Sequence, residues 1–162
     1  MALSLTKLAE RNPMFSFKWE FEGNLPFGGP TSDYVESVDL NATNVQIGGG
    51  IFSAASYFYM PMFSNVSSFS MTFFEDDEGT TLKWLTSWKS RIKNFDDGSY
   101  YLPANYKSEM KFNLCNTMGT PVVASRCSGV WPADTGALSL NYTDSGRITI
   151  SQTFSCDDQT FE

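Results

Sequence analysis

Large apolar and polar side chains alternate from the fifteenth residue onward. In FSFKWEF, Phe15, Phe17, Trp19 and Phe21 alternate with Ser16, Lys18 and Glu20. A period of two is the mark of a strand with one buried face. GNLPFGGPTSD, residues 23–33, carries three Gly and two Pro and predicts a loop. YVESVDLNA then predicts a second strand. NVQIGGGIFSAASYFYMP, residues 44–61, is apolar and almost free of charge. It predicts a long β-hairpin arm over 41–62, with Gly48, Gly49 and Gly50 freeing the backbone of its first half. Ile47, Ile51, Phe52, Tyr57, Phe58, Tyr59 and Met60 would need cover there. Either the chain's own core or a partner subunit could supply it.

FSMTFFEDDEGTTLKWLTSWKSRIK, residues 69–93, changes period midway. Phe69, Met71 and Phe73 alternate with Ser68, Ser70 and Thr72, as in a half-buried strand. Asp76, Asp77 and Glu78 follow, where a helix N-terminus with unpaired N–H groups favours anions. Leu82, Leu85, Trp88 and Ile92 then share one helical face, flanked by Trp84. Lys89, Arg91 and Lys93 sit at the end that favours cations. The stretch predicts a strand feeding one amphipathic helix over 79–94, laid across a sheet.

Residues 94–107 predict a long loop with a turn at Asp96-Asp97-Gly98. Beyond it the pattern returns to period two, at Met110, Phe112 and Leu114 and again at Leu138, Leu140 and Tyr142. It recurs at Ile148, Ile150 and Phe154, with Gln152 in phase, after a tight turn at Asp144-Ser145-Gly146. Trp19, Leu85, Trp88 and Trp131 are the expected core anchors. The fold class is mainly β: a small β-sandwich or barrel, one helix packed outside and a long hairpin arm. A length of 162 residues suits a single domain over 1–162, with residues 1–14 as a leader. The leader lacks the apolar run of a signal peptide, and no stretch approaches a membrane span, so no membrane anchor is expected.

Composition narrows the chemistry. Hydrophobic residues make up 41% and aromatic residues 15%, including 14 Phe, a bias that sheets accommodate well. Net charge is −7, and no Lys/Arg cluster offers a grip on phosphates, so tight nucleic-acid binding is not expected. The sequence holds no His, which removes Ser-His-Asp and Cys-His catalysis and the commonest metal ligand. Cys115, Cys127 and Cys156 match no zinc or CxxC spacing. They read as three thiols, or as one disulfide and one thiol. Asp76/Asp77, Asp96/Asp97 and Asp157/Asp158 are neighbours in turns, not carboxyls facing across a cleft. N-x-S/T triplets at Asn41, Asn65 and Asn141 are expected by chance in a chain this rich in Ser and Thr. No catalytic residue, metal or cofactor is expected.

GVWPADTGALSLNYTDSGRITISQTFSCDD, residues 129–158, is the most distinctive segment. Gly-Val-Trp-Pro, Gly136, Leu138-x-Leu140, a turn and a closing strand resemble the C-terminal half of contractile-phage tail tube proteins. The acidic turn with its Trp-bearing helix and the 41–62 arm fit the same pattern, so the resemblance spans most of residues 15–158. It implies hexameric rings whose sheets join into an inner barrel, stacked as a tube. DNA would pass through that tube without tight binding. The implied partners are further copies of the chain, the tail sheath, the baseplate and the tape-measure protein, and the implied location is the virion. Three glycines in the arm, a different leader and a long first loop depart from the pattern. They leave room for a tube-initiator ring of the baseplate. Other readings are a tube of an effector-secretion machine and, in a different class, a monomeric β-sandwich that binds carbohydrate or a surface through exposed aromatics.

Overall fold

The computed structural model describes residues 19–40, 45–53, 56–63, 67–135, 138 and 146–162, with the backbone alone for 45–53, 56–63 and 67. The strands are β1 (Trp19–Phe21), β2 (Val35–Asp39), β3 (Val45–Ser53), β4 (Ser56–Phe63), β5 (Ser67–Phe74), β6 (Ser108–Cys115), β7 (Pro121–Thr135), β8 (Thr149–Cys156) and β9 (Asp158–Phe161). Among the described residues one α-helix, α1, spans Thr80–Ser90. Seven strands form an antiparallel sheet in the order β1-β6-β7-β8-β5-β2, with β9 also paired to β7, while β3 and β4 form a two-stranded sheet of their own. The described residues are mainly β with one helix, as the alternating pattern predicts.

The large sheet is folded over. The first part of β7 pairs with β6 and β9, and its last part pairs with β8. Gly129 marks the change, with φ at 63°. A Cβ there would lie 2.1 Å from Asp157 Oδ2, so only glycine fits. Asp157, between β8 and β9, donates its N–H to the Ser128 carbonyl at 2.9 Å. Both strands thus turn one corner together. The buried positions of β7 switch phase there, from Ser125 and Cys127 to Val130 and Pro132, as an inserted residue requires. The result is visible in the rings. Phe112 on β6 and Phe69 on β5 meet with centroids 5.5 Å apart. Three strand spacings separate them in the sheet order, about 14 Å if it were flat.

A chain of aromatic contacts fills the fold. Phe21 packs on Phe112 at 5.4 Å, Phe69 on Phe154 at 5.4 Å, and Phe154 on Trp88 at 5.6 Å. Phe73 meets Trp84 at 5.6 Å. The buried face of α1 is Thr81, Trp84, Leu85 and Trp88. The expected stripe is therefore rotated: Leu82 is half-buried, and Ile92 lies beyond the helix. The indoles explain the rotation. Trp84 donates its ring N–H to the Pro26 carbonyl at 2.7 Å, and Trp88 donates to the Tyr106 carbonyl at 2.7 Å. Each large ring is buried with its polar atom satisfied. The loop over 23–33 is drawn in with them. It contains two single 3₁₀ turns, Pro26–Gly28 and Ser32–Tyr34, and a buried Leu25. A Cβ on Gly29 would stand 2.6 Å from that of Leu25 and 2.7 Å from the Trp84 ring.

Two other expectations shift. Trp131 is half-buried and does not anchor the core; the buried residues beside it are Val130 and Pro132. The WP segment follows the corner, and its strand phase turns the indole away from the ring cluster. Trp19 packs against the core partly buried, while Leu85 and Trp88 lie inside it. Near the C-terminus Ile150, Gln152, Phe154 and Cys156 point inward, but Ile148 is exposed and Leu138 lies outside any strand. Residues 1–18, Leu140 and Tyr142 lie outside the described residues.

The acids before the helix divide their labour differently from the sequence pattern. Gly79 takes the N-cap position in a left-handed conformation without a side-chain cap. Glu75, preceding the predicted acids, accepts the N–H of Thr81 at 3.0 Å and of Leu82 at 2.9 Å. Asp76 accepts the Thr80 N–H at 2.9 Å, the Thr80 hydroxyl at 2.6 Å and the Tyr34 hydroxyl at 2.9 Å. Asp77 and Glu78 are exposed. Three orphan donors of the first helical turn thus end on two carboxylates. The Thr80 bonds, ahead of the one from Tyr34, hold the Asp76 carboxyl well below the usual carboxylate range.

Replacing Trp88 by Ala should destabilise the fold by about 3–5 kcal/mol. Trp131→Ala should cost less than half of that, and urea denaturation measures both. Equal losses would place Trp131 in the core after all. Asp76 also sets a pH dependence. Its folded pKa lies below the unfolded one, so its contribution is full above the unfolded value and fades as pH falls through the folded one. Asp76→Asn should lower the melting temperature at neutral pH and flatten its decline below about pH 4. An unchanged slope in a thermal-melt series would remove Asp76 from the acid response.

Candidate interaction surfaces

The hairpin of β3 and β4 stands apart from the large sheet in its pairing. Its register runs from Val45↔Phe63 to Ser53↔Ser56. The ladder shifts between Ile47↔Pro61 and Gly50↔Tyr59, so Gly48 and Gly49 oppose Met60 alone. That is a bulge, where backbone freedom is needed. The predicted contact residues Ile47, Ile51, Phe52, Tyr57, Phe58, Tyr59 and Met60 fall on this hairpin. Their side chains lie outside what the structure describes.

The large sheet presents two kinds of surface away from its core. Across β2, β5 and β8 the outward positions are short hydroxyls. Ser37 opposes Thr72, and Thr72 opposes Ser151; Asp39 opposes Ser70, and Ser70 opposes Thr153. Ser68 opposes Ser155 at the far end. The Thr72 and Ser151 hydroxyls are 3.2 Å apart, and Ser70 donates weakly to Asp39 at 3.4 Å. Across β6 and β7 the outward positions include the charged Glu109, Lys111 and Arg126 beside the exposed Val122. Arg126 pairs with Glu109 at 2.8 Å and Lys111 with Glu22 at 3.7 Å, while Asn113 donates to Glu20 at 3.3 Å. The Arg126 bond holds the Glu109 carboxyl below its usual range. Exposed pairs of this kind add little stability each. They make the surface polar without giving it one sign of charge.

The adjacent acids have local structural roles. Asp97 accepts the Ser99 N–H at 2.8 Å and its hydroxyl at 2.7 Å, closing the turn at Gly98. Asp157 pairs with Lys107 at 2.6 Å beside the sheet corner. Cys115, Cys127 and Cys156 are buried thiols, none of them in a disulfide. A hydrogen bond with Cys156, and then burial, holds the Cys127 thiol above its ordinary range, which suppresses the reactive thiolate. No helix among the described residues is long and apolar enough to cross a membrane.

No protein-family model matches the chain, and no curated protein matches it. Solved structures do. A chain of the sheath–tube complex of the extracellular contractile injection system PVC, in its extended state, aligns over 99% of this chain and 99% of that one, with TM-score 0.67 and 14% identity. A chain from the anti-feeding prophage cap, the tube-terminating cap, aligns over 100% and 99%, with TM-score 0.71 and 15% identity. One from the six-fold symmetrised anti-feeding prophage baseplate aligns over 89% of each, with TM-score 0.56 and 9% identity. The chain therefore has a tail-tube-like fold, the one shared by these components of contractile injection systems.

Proposed function

We propose that the chain is a non-enzymatic structural component of a contractile tail or injection machine, assembling as six-membered rings that stack into its inner tube. The observation that carries this reading is the end-to-end correspondence, 99% of both chains, with a chain of a sheath–tube complex. The layout of the sheet supports it. Among the described residues, strands β1 and β2 end the sheet order and the β3–β4 hairpin pairs only with itself. Ring closure covers such edges, and a neighbouring ring covers an apolar arm. On this reading the residues from Ile47 to Met60 bear the contacts between rings. Sheath packs outside, the baseplate starts the tube and a tape-measure protein occupies it. A net charge of −7 keeps a polyanion such as DNA from adhering to the wall. The TM-score of 0.71 with a chain of a tube-terminating cap favours, as a second reading, a ring that begins or ends the tube.

Negative-stain electron microscopy over a concentration series, with the mass in solution, tests this. Six-fold rings that grow into long tubes are expected of the main subunit, and rings that never elongate of a terminal one. A monomer at every concentration that melts higher with a glycan would instead support the binding-domain reading. Ile51→Asp and Phe58→Asp should leave rings and melting temperature intact but abolish stacking, since an unpaired charge resists burial. Precipitation or unfolding of both variants would assign the hairpin to the chain's own core.

A further inference from the structure

Beyond Val130, β7 has left β6 and β9 and pairs with β8 alone among the described residues. Residues 131–135 therefore form, with β8, β5 and β2, a four-strand limb of the folded sheet. Among the described residues both edges of this limb are unpaired, at β2 and at residues 131–135. One face of the limb meets α1, through Phe73 on Trp84 and Phe154 on Trp88. The other face runs in transverse rows. Asp39, Ser70, Thr153 and Asp134 are successive partners in one row, and Ser37, Thr72 and Ser151 in the next.

What this face lacks sets it apart. Serine is not among the residues that strands favour, so its recurrence is not explained by strand formation. None of the large exposed hydrophobic side chains among the described residues lies on β2, β5 or β8. Two half-buried rings stand at the margins. Phe74 lies 5.6 Å from the Arg147 guanidinium, and Trp131 lines a groove with Tyr100. The charges are marginal too. Asp39, Asp134 and the Glu36 of the β2 bulge stand against Arg147 and against Lys89, which reaches Thr135 from the helix. Between them Ser70, Thr72, Ser151 and Thr153 carry no charge. The Thr72 and Ser151 hydroxyls bond along the sheet at 3.2 Å. Centres of protein interfaces are depleted in Ser and anchored by aromatic or Arg side chains. This face has the opposite composition and is built to stay in water.

We infer that this hydroxyl face lines the bore of the tube, an inference that rests on the ring reading above. Strand directions fit a joint between copies. Each neighbouring pair in the limb is antiparallel, so β2 runs opposite to the end of β7. Setting β2 of one copy beside residues 131–135 of the next continues the alternation and leaves neither edge open. Six four-strand limbs at about 4.8 Å per strand enclose a bore roughly 40 Å across. Its wall repeats short hydroxyls and a ring of Asp39 and Asp134 carboxylates. Nothing long, apolar or basic projects from the middle of that wall, so material in transit finds no anchor.

Single cysteines test the placement, because Cys115, Cys127 and Cys156 are themselves buried. Ser70→Cys and Ser151→Cys are each assembled into tubes. They are then exposed to a small maleimide or to a maleimide carried on a globular protein wider than the bore. Both reagents should label the unassembled variants. In tubes the small reagent should still react, and the wide one should lose most of its labelling. Reaction of tubes with both reagents would put the face outside, and protection from both would bury it between subunits. Either result overturns this inference and leaves the ring reading standing. So does a variant that folds but no longer assembles where the unsubstituted chain does. An unsubstituted chain that forms no rings would overturn both readings.

Discussion

Everything in this fold depends on two strands bending at the same place. Phe69 and Phe112 can touch only if the sheet folds back across three strand spacings. The fold is made at Gly129, whose positive φ and lack of a Cβ let Asp157 sit against it. A conventional side chain there would meet the Asp157 carboxylate and would also resist the left-handed backbone. Once the corner is turned, the rings of Phe21, Phe112, Phe69, Phe154 and Trp88 form one continuous contact series. Without it the same residues would line one side of an open sheet.

The helix closes what the corner leaves open. It is short, and its own propensity is modest, so packing must hold it. Two indoles supply that packing, and both spend their polar atom on loop carbonyls at Pro26 and Tyr106. The loop before β2 and the loop before β6 are thereby tied to one helix face. Glu75 and Asp76 hold the other end by accepting the first free N–H groups. The acidic joint is a device for starting a helix directly after a strand.

What is left outside the core is sorted by chemistry. One sheet surface is hydroxyl-rich, one carries paired charges, and the hairpin is a separate apolar element. Such distinct faces suit repeated, oriented contacts. Acidic residues on it serve backbone geometry, and buried thiols serve packing.

Burial on one face imposes a period that local composition records, so the sequence by itself determined where the helix and several strands would lie, though not β7 or β9. Phe69-Met71-Phe73 and Ile150-Gln152-Phe154 show it, as does the hairpin at 45–63. Even the odd Gln152 was legible as an inward position. The helix was legible too, but not its rotation, since only the carbonyls of Pro26 and Tyr106 decide that Trp84 turns inward with Trp88. Trp131 misleads for a related reason: its size suggests a core anchor, but a one-residue phase change at Gly129 directs its neighbours inward instead. Glu75 was hidden because its partners lie six and seven residues on, across a turn whose geometry composition does not encode. Tertiary structure alone decided the fold-over of the sheet and the division of its outer faces. Each joins residues far apart in sequence, and pairing across such distances is set by how whole surfaces fit, which no local period contains.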